Sequence, residues 1–262
     1  MLQHRLLGNT GIRVSPLGLG TVKFGRNLDV KYPYPFTIPG DQAIKDLLVL
    51  AQELNINLLD TAPAYGSSEE RLGALLKGER ANWIISTKVG EEFSNGSSRF
   101  DFTSEHITAS IYRSLQRLQT DYLDIVLVHS DGNDLDIINN YNVFETLAKL
   151  KTKGIIRAFG MSTKTIEGSI QTIEQADLAM ITYNSLQQQA KPVLDLANQR
   201  QKGIFIKKAL ASGHVHTLPG TDPVKSSLEF IYAHPAVSSI IIGTITPKHL
   251  RQNVLSACMV LG

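Results

Sequence analysis

Apolar residues recur along the chain in short continuous runs, separated by longer segments in which apolar and polar residues mix. Each run has the length of a β-strand. Because the runs do not alternate with polar residues, they indicate parallel strands that are covered on both faces. The predicted strands are Leu17–Gly20, Asn57–Leu59, Trp83–Ser86, Asp124–Val128, Ile155–Gly160, Leu178–Thr182, Ile204–Ile206 and Ser238–Ile242.

The segments between these runs have the periodicity of helices. In Asp41–Asn55 the apolar residues recur at helical spacing and therefore form one stripe. Thr103–Gln119 repeats the pattern and begins with hydroxyl side chains that cap helices, and Asn142–Lys153 ends at Gly154, where a helix stops. Proline is tolerated in the first turn of a helix. Further helices are therefore predicted to begin near Pro192, Pro223 and Pro247.

A β-hairpin is predicted ahead of the first run, because Gln3–Leu7 and Ile12–Val14 flank the turn-forming residues Gly8–Gly11. Eight strand–helix units in a chain of 262 residues predict an α/β fold, a (β/α)8 TIM barrel. The alternative is an open doubly wound sheet, which normally carries Gly-x-Gly-x-x-Gly after its first strand; here Gly18-Leu19-Gly20 is not followed by a third glycine in register. We expect residues 1–262 to form one barrel domain.

Composition and charge exclude several classes of protein. Lys and Arg total 26 and Asp and Glu total 24, so the chain lacks the basic excess of a nucleic-acid-binding protein. A single cysteine, Cys258, excludes an internal disulfide and a cysteine-rich metal site, so no metal is expected. A lone thiol, together with the absence of a signal peptide or an apolar membrane segment, leads us to expect a cytoplasmic protein that does not enter a membrane.

One predicted loop is long and aromatic. Phe24–Gly40 follows the first strand and contains Tyr32–Phe36, a segment of alternating aromatic residues and prolines. In a barrel, the loops that follow strands build the active-site face. The loop is therefore either a wall of a pocket or a surface insertion packed on itself, and the sequence leaves both open.

Polar side chains follow the second, third and fourth predicted strands. Asp60 comes directly after Leu59, while Lys88 and His129 follow the next two strands, and Tyr65 lies five residues beyond Asp60. Singly, each has a structural explanation, such as a loop cap, a solvated strand end, a hydrogen-bonded histidine or a packing aromatic. In a barrel, however, all four meet at one face, and together they indicate a catalytic site.

These four groups suggest proton donation by a phenol. The ordinary pKa of tyrosine is about 10, and the Lys88 ammonium would lower it by favouring the phenolate. Asp60 would hold Lys88 through a charge-assisted hydrogen bond, and His129 would orient the oxygen of a substrate. A carbonyl group bound there would accept a proton on oxygen and a hydride on carbon. Because no side chain donates a hydride, a cofactor is required.

The chain resembles the aldo-keto reductases over nearly its whole length, from Leu7 to Asn253. The most specific match is the segment Leu59-Asp60-Thr61-Ala62-Pro63-Ala64-Tyr65-Gly66-Ser67-Ser68-Glu69, and Ser86-Thr87-Lys88 and Asp121-Tyr122-Leu123-Asp124 leading to His129 follow in order. The resemblance implies a (β/α)8 barrel that reduces aldehydes and ketones with NADPH. In it, Asp60, Tyr65, Lys88 and His129 occupy the catalytic tetrad, with Tyr65 as general acid.

The resemblance also implies where the nucleotide binds. Matching positions fall into three groups, according to the part of the nucleotide that the family positions contact. They are Gly20, Thr21, Ser162 and Thr163 for the nicotinamide, then Lys207, Lys208, Leu210, Ser212 and Gly213 for the pyrophosphate, and Gly243, Thr244, His249, Gln252 and Asn253 for the adenosine phosphate.

Several positions depart from the family pattern. Thr163 stands where the family has Asn, and Met180 stands where it often has Gln. The aromatic residue that usually stacks on the nicotinamide is missing, so a lysine stem is expected to cover the ring. The family's Lys and Arg for the 2′-phosphate fall at Gly243 and His249. The expected cofactor is therefore NADP(H). Because these cationic contacts are missing, we expect the protein to discriminate only weakly against NAD(H).

The expected partner is a small-molecule carbonyl substrate. Ser130-Asp131-Gly132 follows His129 where many members have Trp, and the chain ends at Gly262, whereas longer relatives carry a tail that closes over the substrate. We therefore expect an open pocket and a broad range of substrates.

Two other functions are compatible with the pattern. One is a nucleotide-binding regulatory subunit of the same fold with weak catalysis, which the complete tetrad disfavours. The other is an isomerase or aldolase in which Lys88 forms a Schiff base. Asp60 beside it would keep the lysine protonated and oppose that role.

Overall fold

The computed structural model describes residues 2–215 and 220–262, and its strands bear out the predicted alternation. In chain order the strands are β1 (Arg5–Leu6), β2 (Arg13–Val14), β3 (Leu17–Gly20), β4 (Leu58–Asp60), β5 (Ile84–Val89), β6 (Glu91–Ser94), β7 (Ser97–Phe100), β8 (Leu123–His129), β9 (Ile156–Ser162), β10 (Leu178–Thr182), β11 (Gly203–Lys207) and β12 (Val237–Ile242). Among the described residues, eight of them, β3–β5 and β8–β12, close a parallel barrel in chain order, in which β12 returns to pair with β3. This closure confirms the predicted barrel and excludes the open sheet.

Helices connect the barrel strands and cover them from outside. They are α1 (Val22–Gly25), α2 (Asp41–Glu53), α3 (Ser68–Leu75), α4 (Ser104–Leu118), α5 (Asp134–Asn140), α6 (Val143–Thr152), α7 (Ile166–Gln175), α8 (Lys191–Arg200), α9 (Pro223–Tyr232) and α10 (Pro247–Leu261). As predicted, α9 and α10 begin at prolines and α8 has Pro192 in its first turn. In the described part of the chain, no helix is both long enough and apolar enough to span a membrane.

The barrel interior is sealed at one end by the amino-terminal hairpin, which was also predicted. Leu7, Ile12 and Val14 of the hairpin pack with interior side chains such as Phe205. The hairpin contacts the beginnings of strands: a Cβ on Gly203, the first residue of β11, would lie 2.4 Å from Leu7. A second apolar layer fills the space between the strands and the helices. The open end of the barrel is therefore the one where the strands finish.

Some elements of the fold were not predicted. A hairpin formed by β6 and β7 follows the third barrel strand, and the helix α5 follows the fourth. The hairpin escapes a search for apolar runs because its residues are mostly polar. Its signal was the turn Asn95-Gly96, in which both residues have positive φ (53° and 80°), the conformation that this dipeptide favours between paired strands.

Candidate active site

A cavity of about 1750 Å³ opens at the end of the barrel where the strands finish. Asp60, Tyr65, Lys88 and His129 all line it. The strands extend slightly further than predicted: Asp60 and His129 are the last residues of β4 and β8, and Lys88 lies within β5. Since adjacent parallel strands end at the same edge, the barrel brings together side chains that are far apart in the sequence.

Asp60 and Lys88 form a buried ion pair. Nζ of Lys88 donates to both carboxylate oxygens of Asp60 at 2.8 Å and to the carbonyl oxygen of Thr61 at 2.8 Å. The side chains of Asp60 and Lys88 are only 4% and 2% exposed. Burial lowers the pKa of Lys88, but Asp60 and Tyr65 outweigh it, so the pKa lies above its ordinary value. Lys88 is thus a fixed cation, which disfavours the Schiff-base alternative.

Tyr65 ends a short 3-10 turn, Pro63–Tyr65, and lies beside this cation. Nζ of Lys88 is 4.7 Å from the centroid of the phenol ring. Burial raises the pKa of Tyr65, and Lys88 opposes that rise without cancelling it. The expected lowering of the phenol pKa is therefore outweighed by desolvation. The outcome is a protonated phenol at neutral pH, next to a cation that stabilises the phenolate formed when the proton leaves.

His129 faces Tyr65 and contacts a carboxylate that sequence reasoning missed. The two rings are edge to face, with centroids 6.3 Å apart. Nδ1 of His129 lies 2.6 Å from Oε2 of Glu91, the first residue of β6. Burial lowers the pKa of His129, and Glu91 opposes this effect. Glu91 escaped prediction because it belongs to the unpredicted hairpin.

Ser162 and Thr163, predicted to hold the nicotinamide, come together with Lys207. Nζ of Lys207 donates to Oγ of Ser162 at 2.8 Å and to the carbonyl oxygen of Thr163 at 2.7 Å. The Thr163 hydroxyl itself is hydrogen-bonded to Ser169 in the interior. Burial, reinforced by the charges of Lys208 and Lys88, lowers the pKa of Lys207 to about 7.

Lys207 is expected to make the stability of the protein depend on pH above neutrality. An unfolded lysine holds its proton up to about pH 10.4, whereas folded Lys207 releases it near 7. Between these values the unfolded state binds more protons, so the free energy of unfolding rises with pH. Lys207→Met should remove this rise, which is at most about 1.4 kcal/mol per pH unit. Urea unfolding between about pH 7 and 9 measures the difference.

Lys45→Met, at an exposed position on α2, is the matched control for this comparison and should keep the slope of the unmodified protein. Equal slopes in the unmodified protein and Lys207→Met would contradict the lowered pKa of Lys207.

The remaining predicted nucleotide-binding residues also lie on the cavity wall, with one exception. Gly20, Lys208, Leu210, Ser212, Gly213, Gly243, Thr244, His249, Gln252 and Asn253 line it. Thr21 does not. Its buried hydroxyl donates to the carbonyl oxygen of Asp60 and accepts a hydrogen bond from Ser68, so the side chain supports the active-site strand from behind.

Helix α10 presents one face to the cavity. His249, Gln252, Asn253 and Ser256 line the wall at the spacing of one helical stripe. Lys248 and Arg251 carry the nearest cations in the sequence, and neither lines the cavity.

The aromatic loop after β3 lies across the cavity. A Cβ on Gly243 would be 2.7 Å from the hydroxyl of Tyr32, and one on Gly213 would be 3.2 Å from Pro33. Nζ of Lys23 lies 3.9 Å from the centroid of the Tyr32 ring. The loop therefore touches the segments after β11 and β12. Of the two interpretations left open by the sequence, the structure supports the pocket wall.

The chain is similar in sequence and in structure to oxidoreductases. Residues 16–218 match the family model of the aldo/keto reductase family. The crystal structure of a proposed aldo-keto reductase from Pseudomonas aeruginosa is 52% identical, with a TM-score of 0.91 over 99% of this chain and 95% of that one. An uncharacterized oxidoreductase from Bacillus subtilis is 26% identical over 98% of this chain and 91% of its own. L-galactose dehydrogenase from Arabidopsis thaliana is 36% identical over 62% of this chain and 48% of its own.

Proposed function

The chain belongs to the aldo/keto reductase family, and from that premise we propose that it reduces aldehydes and ketones to alcohols with NADP(H), using Tyr65 as the general acid. The observation that carries the proposal is the placement of a protonated phenol beside the buried Asp60–Lys88 pair, with His129 opposite, on the wall of one cavity. A nucleotide-binding subunit without catalysis would not require this combination of groups.

The proposed reaction assigns a separate task to each of the four side chains. A reduced nicotinamide held by the cavity wall would supply a hydride to the carbonyl carbon. The phenol of Tyr65 gives its proton to the carbonyl oxygen as the electron pair of the broken π bond moves onto that oxygen. Lys88, held by Asp60, stabilises the resulting phenolate, and His129 orients the oxygen by a hydrogen bond.

The donor groups on the cavity wall fit a nicotinamide dinucleotide. The Ser162 hydroxyl suits a carboxamide, and the cation of Lys208 suits the charge of a pyrophosphate. Gln252 and Asn253 carry amides that can pair with a purine edge. Gly243 lets the hydroxyl of Tyr32 approach the backbone, since a Cβ there would lie 2.7 Å from that oxygen.

The aromatic loop supports small aldehydes, including aromatic ones, as the substrate class. Tyr32 and Phe36 line the cavity and pack edge to face, with centroids 5.6 Å apart, so the loop brings two aromatic rings to the cavity that Tyr65 also lines. The name of L-galactose dehydrogenase indicates a sugar substrate for that relative. A panel of aromatic aldehydes, short aliphatic aldehydes and aldoses therefore covers the range that this proposal allows.

A nucleotide titration followed by the aldehyde panel tests the function. NADPH is expected to bind, and its oxidation is expected with several aldehydes. Binding without turnover of any carbonyl compound would favour the regulatory-subunit alternative. Absence of nucleotide binding would contradict both functions.

NADPH is expected to bind more tightly than NADH, because its 2′-phosphate offers an additional charged contact. His249 lies on the cavity-facing stripe of α10, where its ring can reach the charged 2′-phosphate. His249→Ala should narrow the preference by roughly tenfold, since one charge-assisted contact is lost. Dissociation constants from fluorescence titration measure both effects.

Lys248→Ala is the control for this titration, because Lys248 does not line the cavity. A preference for NADPH that survives His249→Ala would remove His249 from the phosphate site.

A further inference from the structure

We propose that Lys207 is a specificity-determining residue that places an uncompensated ammonium group where the nicotinamide binds, so that the site holds the neutral, reduced nucleotide in preference to the cationic, oxidised one. This role rests on the proposed function for the identity of the ligand. It concerns affinity, which can be measured without turnover.

The side chain of Lys207 joins two strands that are not neighbours in the barrel. Lys207 is the last residue of β11, and its backbone pairs with Thr182 on β10. Its Nζ donates to Oγ of Ser162, the last residue of β9, which lies on the other side of β10. The Ser162 backbone in turn pairs with His129 on β8. The ammonium group of Lys207 therefore contacts the strand next to the one that carries His129.

The proposed reaction requires the nicotinamide to bind in this part of the cavity. A carbonyl oxygen that meets Tyr65 and His129 puts the carbonyl carbon beside them, and the ring that gives a hydride to that carbon must adjoin it. The Ser162 hydroxyl, next to His129 on the neighbouring strand, suits the carboxamide of that ring. Because its oxygen accepts from Lys207, the hydroxyl keeps its own proton for another acceptor, such as the carboxamide oxygen.

The charge of Lys207 is not neutralised by its hydrogen-bond acceptors. Both of them, the Ser162 hydroxyl and the carbonyl oxygen of Thr163, are uncharged. The Asp134 carboxylate attracts the ammonium group, but one of its oxygens already accepts from two backbone N–H groups. Lys207 thus differs from Lys88, which donates to both oxygens of a carboxylate.

The groups around Lys207 leave this part of the cavity positive. Burial and the ammonium groups of Lys208 and Lys88 lower the pKa of Lys207 to about 7, and Asp134 opposes them only in part. The charge of Lys88 is itself balanced by Asp60. Once protonated, Lys207 is therefore an excess cation on the cavity wall.

An excess cation at this position distinguishes the two redox states of the nucleotide. The reduced nicotinamide ring is neutral, whereas the oxidised ring carries a positive charge. Like charges repel more strongly in a partly buried site than in water. The ammonium group of Lys207 therefore weakens the binding of NADP⁺ relative to NADPH. The protein thereby selects the reduced nucleotide from a mixture of the two, as the proposed reduction of carbonyl compounds requires.

The ratio of the dissociation constants of NADP⁺ and NADPH, measured by isothermal titration calorimetry, isolates this effect. Both nucleotides share the adenosine phosphate and the pyrophosphate, so changes at those parts cancel in the ratio. At about pH 6, below the pKa of Lys207, the unmodified protein is expected to bind NADPH more tightly.

Two neutral variants are expected to lower the ratio by roughly tenfold. Lys207→Met keeps an unbranched apolar side chain that can still cover the ring, but it removes the charge. Lys207→Gln also removes the charge, while its amide can still donate a hydrogen bond to Ser162. Agreement between them would assign the effect to the charge rather than to packing or to the hydrogen bond.

Lys207→Arg and Lys208→Met are the matched controls. Lys207→Arg keeps a positive charge and should keep most of the discrimination. Lys208 is the next residue and lines the same cavity, at a position predicted to contact the pyrophosphate. Lys208→Met should therefore weaken the binding of both nucleotides to the same extent and leave the ratio unchanged.

Three results would count against this role. An unchanged ratio in Lys207→Met and Lys207→Gln, with both nucleotides bound, would overturn it and leave the proposed function standing. An equal fall of the ratio in Lys207→Arg would assign the effect to the shape of the side chain and would also overturn it. Binding of neither nucleotide to the unmodified protein would contradict the proposed function, and the role of Lys207 with it.

Discussion

Tyr65→Phe is expected to lower kcat for carbonyl reduction by about 10²–10⁴-fold, with the affinity for NADPH nearly unchanged. The substitution removes only the hydroxyl, so the ring still packs against His129 and next to Lys88. What is lost is the proton that burial keeps on the phenol at neutral pH. Steady-state kinetics measure the loss of turnover, and fluorescence titration measures nucleotide affinity.

Tyr112→Phe is the control for this substitution. Tyr112 lies on α4, is 45% exposed and does not line the cavity, so loss of its hydroxyl should change neither turnover nor affinity. If Tyr65→Phe keeps most of its turnover, Tyr65 is not the proton donor. A large loss of nucleotide affinity would instead assign its hydroxyl to binding.

Lys88→Met is expected to destabilise the protein by about 3–5 kcal/mol and to abolish turnover. The substitution leaves the Asp60 carboxylate buried, without the ammonium that donates to both of its oxygens. It also removes the cation that would stabilise the Tyr65 phenolate. Denaturation in urea gives the loss of stability, and the midpoint and slope of the transition show whether unfolding stays two-state.

The double variant Asp60→Asn/Lys88→Met separates stability from catalysis. Replacing both charges of a buried pair is often nearly neutral, whereas removing one leaves an uncompensated charge. The double variant should therefore recover most of the lost stability while remaining inactive. Recovery of activity together with stability would show that the pair serves only the fold. A single variant as stable as the unmodified protein would contradict the buried ion pair itself.

The arrangement of elements could be predicted from the sequence because it depends on local patterns. Continuous apolar runs mark strands that are buried on both faces, and amphipathic stripes mark the helices that cover them. Asp60, Lys88 and His129 could be placed together because each lies at or near the end of a predicted strand, and parallel strands finish at one edge of a barrel. For these residues, position along the chain alone determines position in space.

The details that set the chemistry could not be predicted, because they depend on contacts between distant residues and on burial. Lys207 donates a hydrogen bond to Ser162, which lies 45 positions away in the sequence. No local sequence pattern records the direction of a flexible lysine side chain. Glu91 faces His129 only because a polar hairpin folds back over the mouth. The positive charge of Lys88 suggested a lowered pKa for Tyr65. Burial raises this pKa by more than Lys88 lowers it, and only the folded chain determines how deeply the phenol is buried. The sequence by itself thus determined the barrel and which residues meet at its mouth. Their protonation and orientation were decided by the tertiary structure, because desolvation and long-range hydrogen bonds exist only once the chain has closed around them.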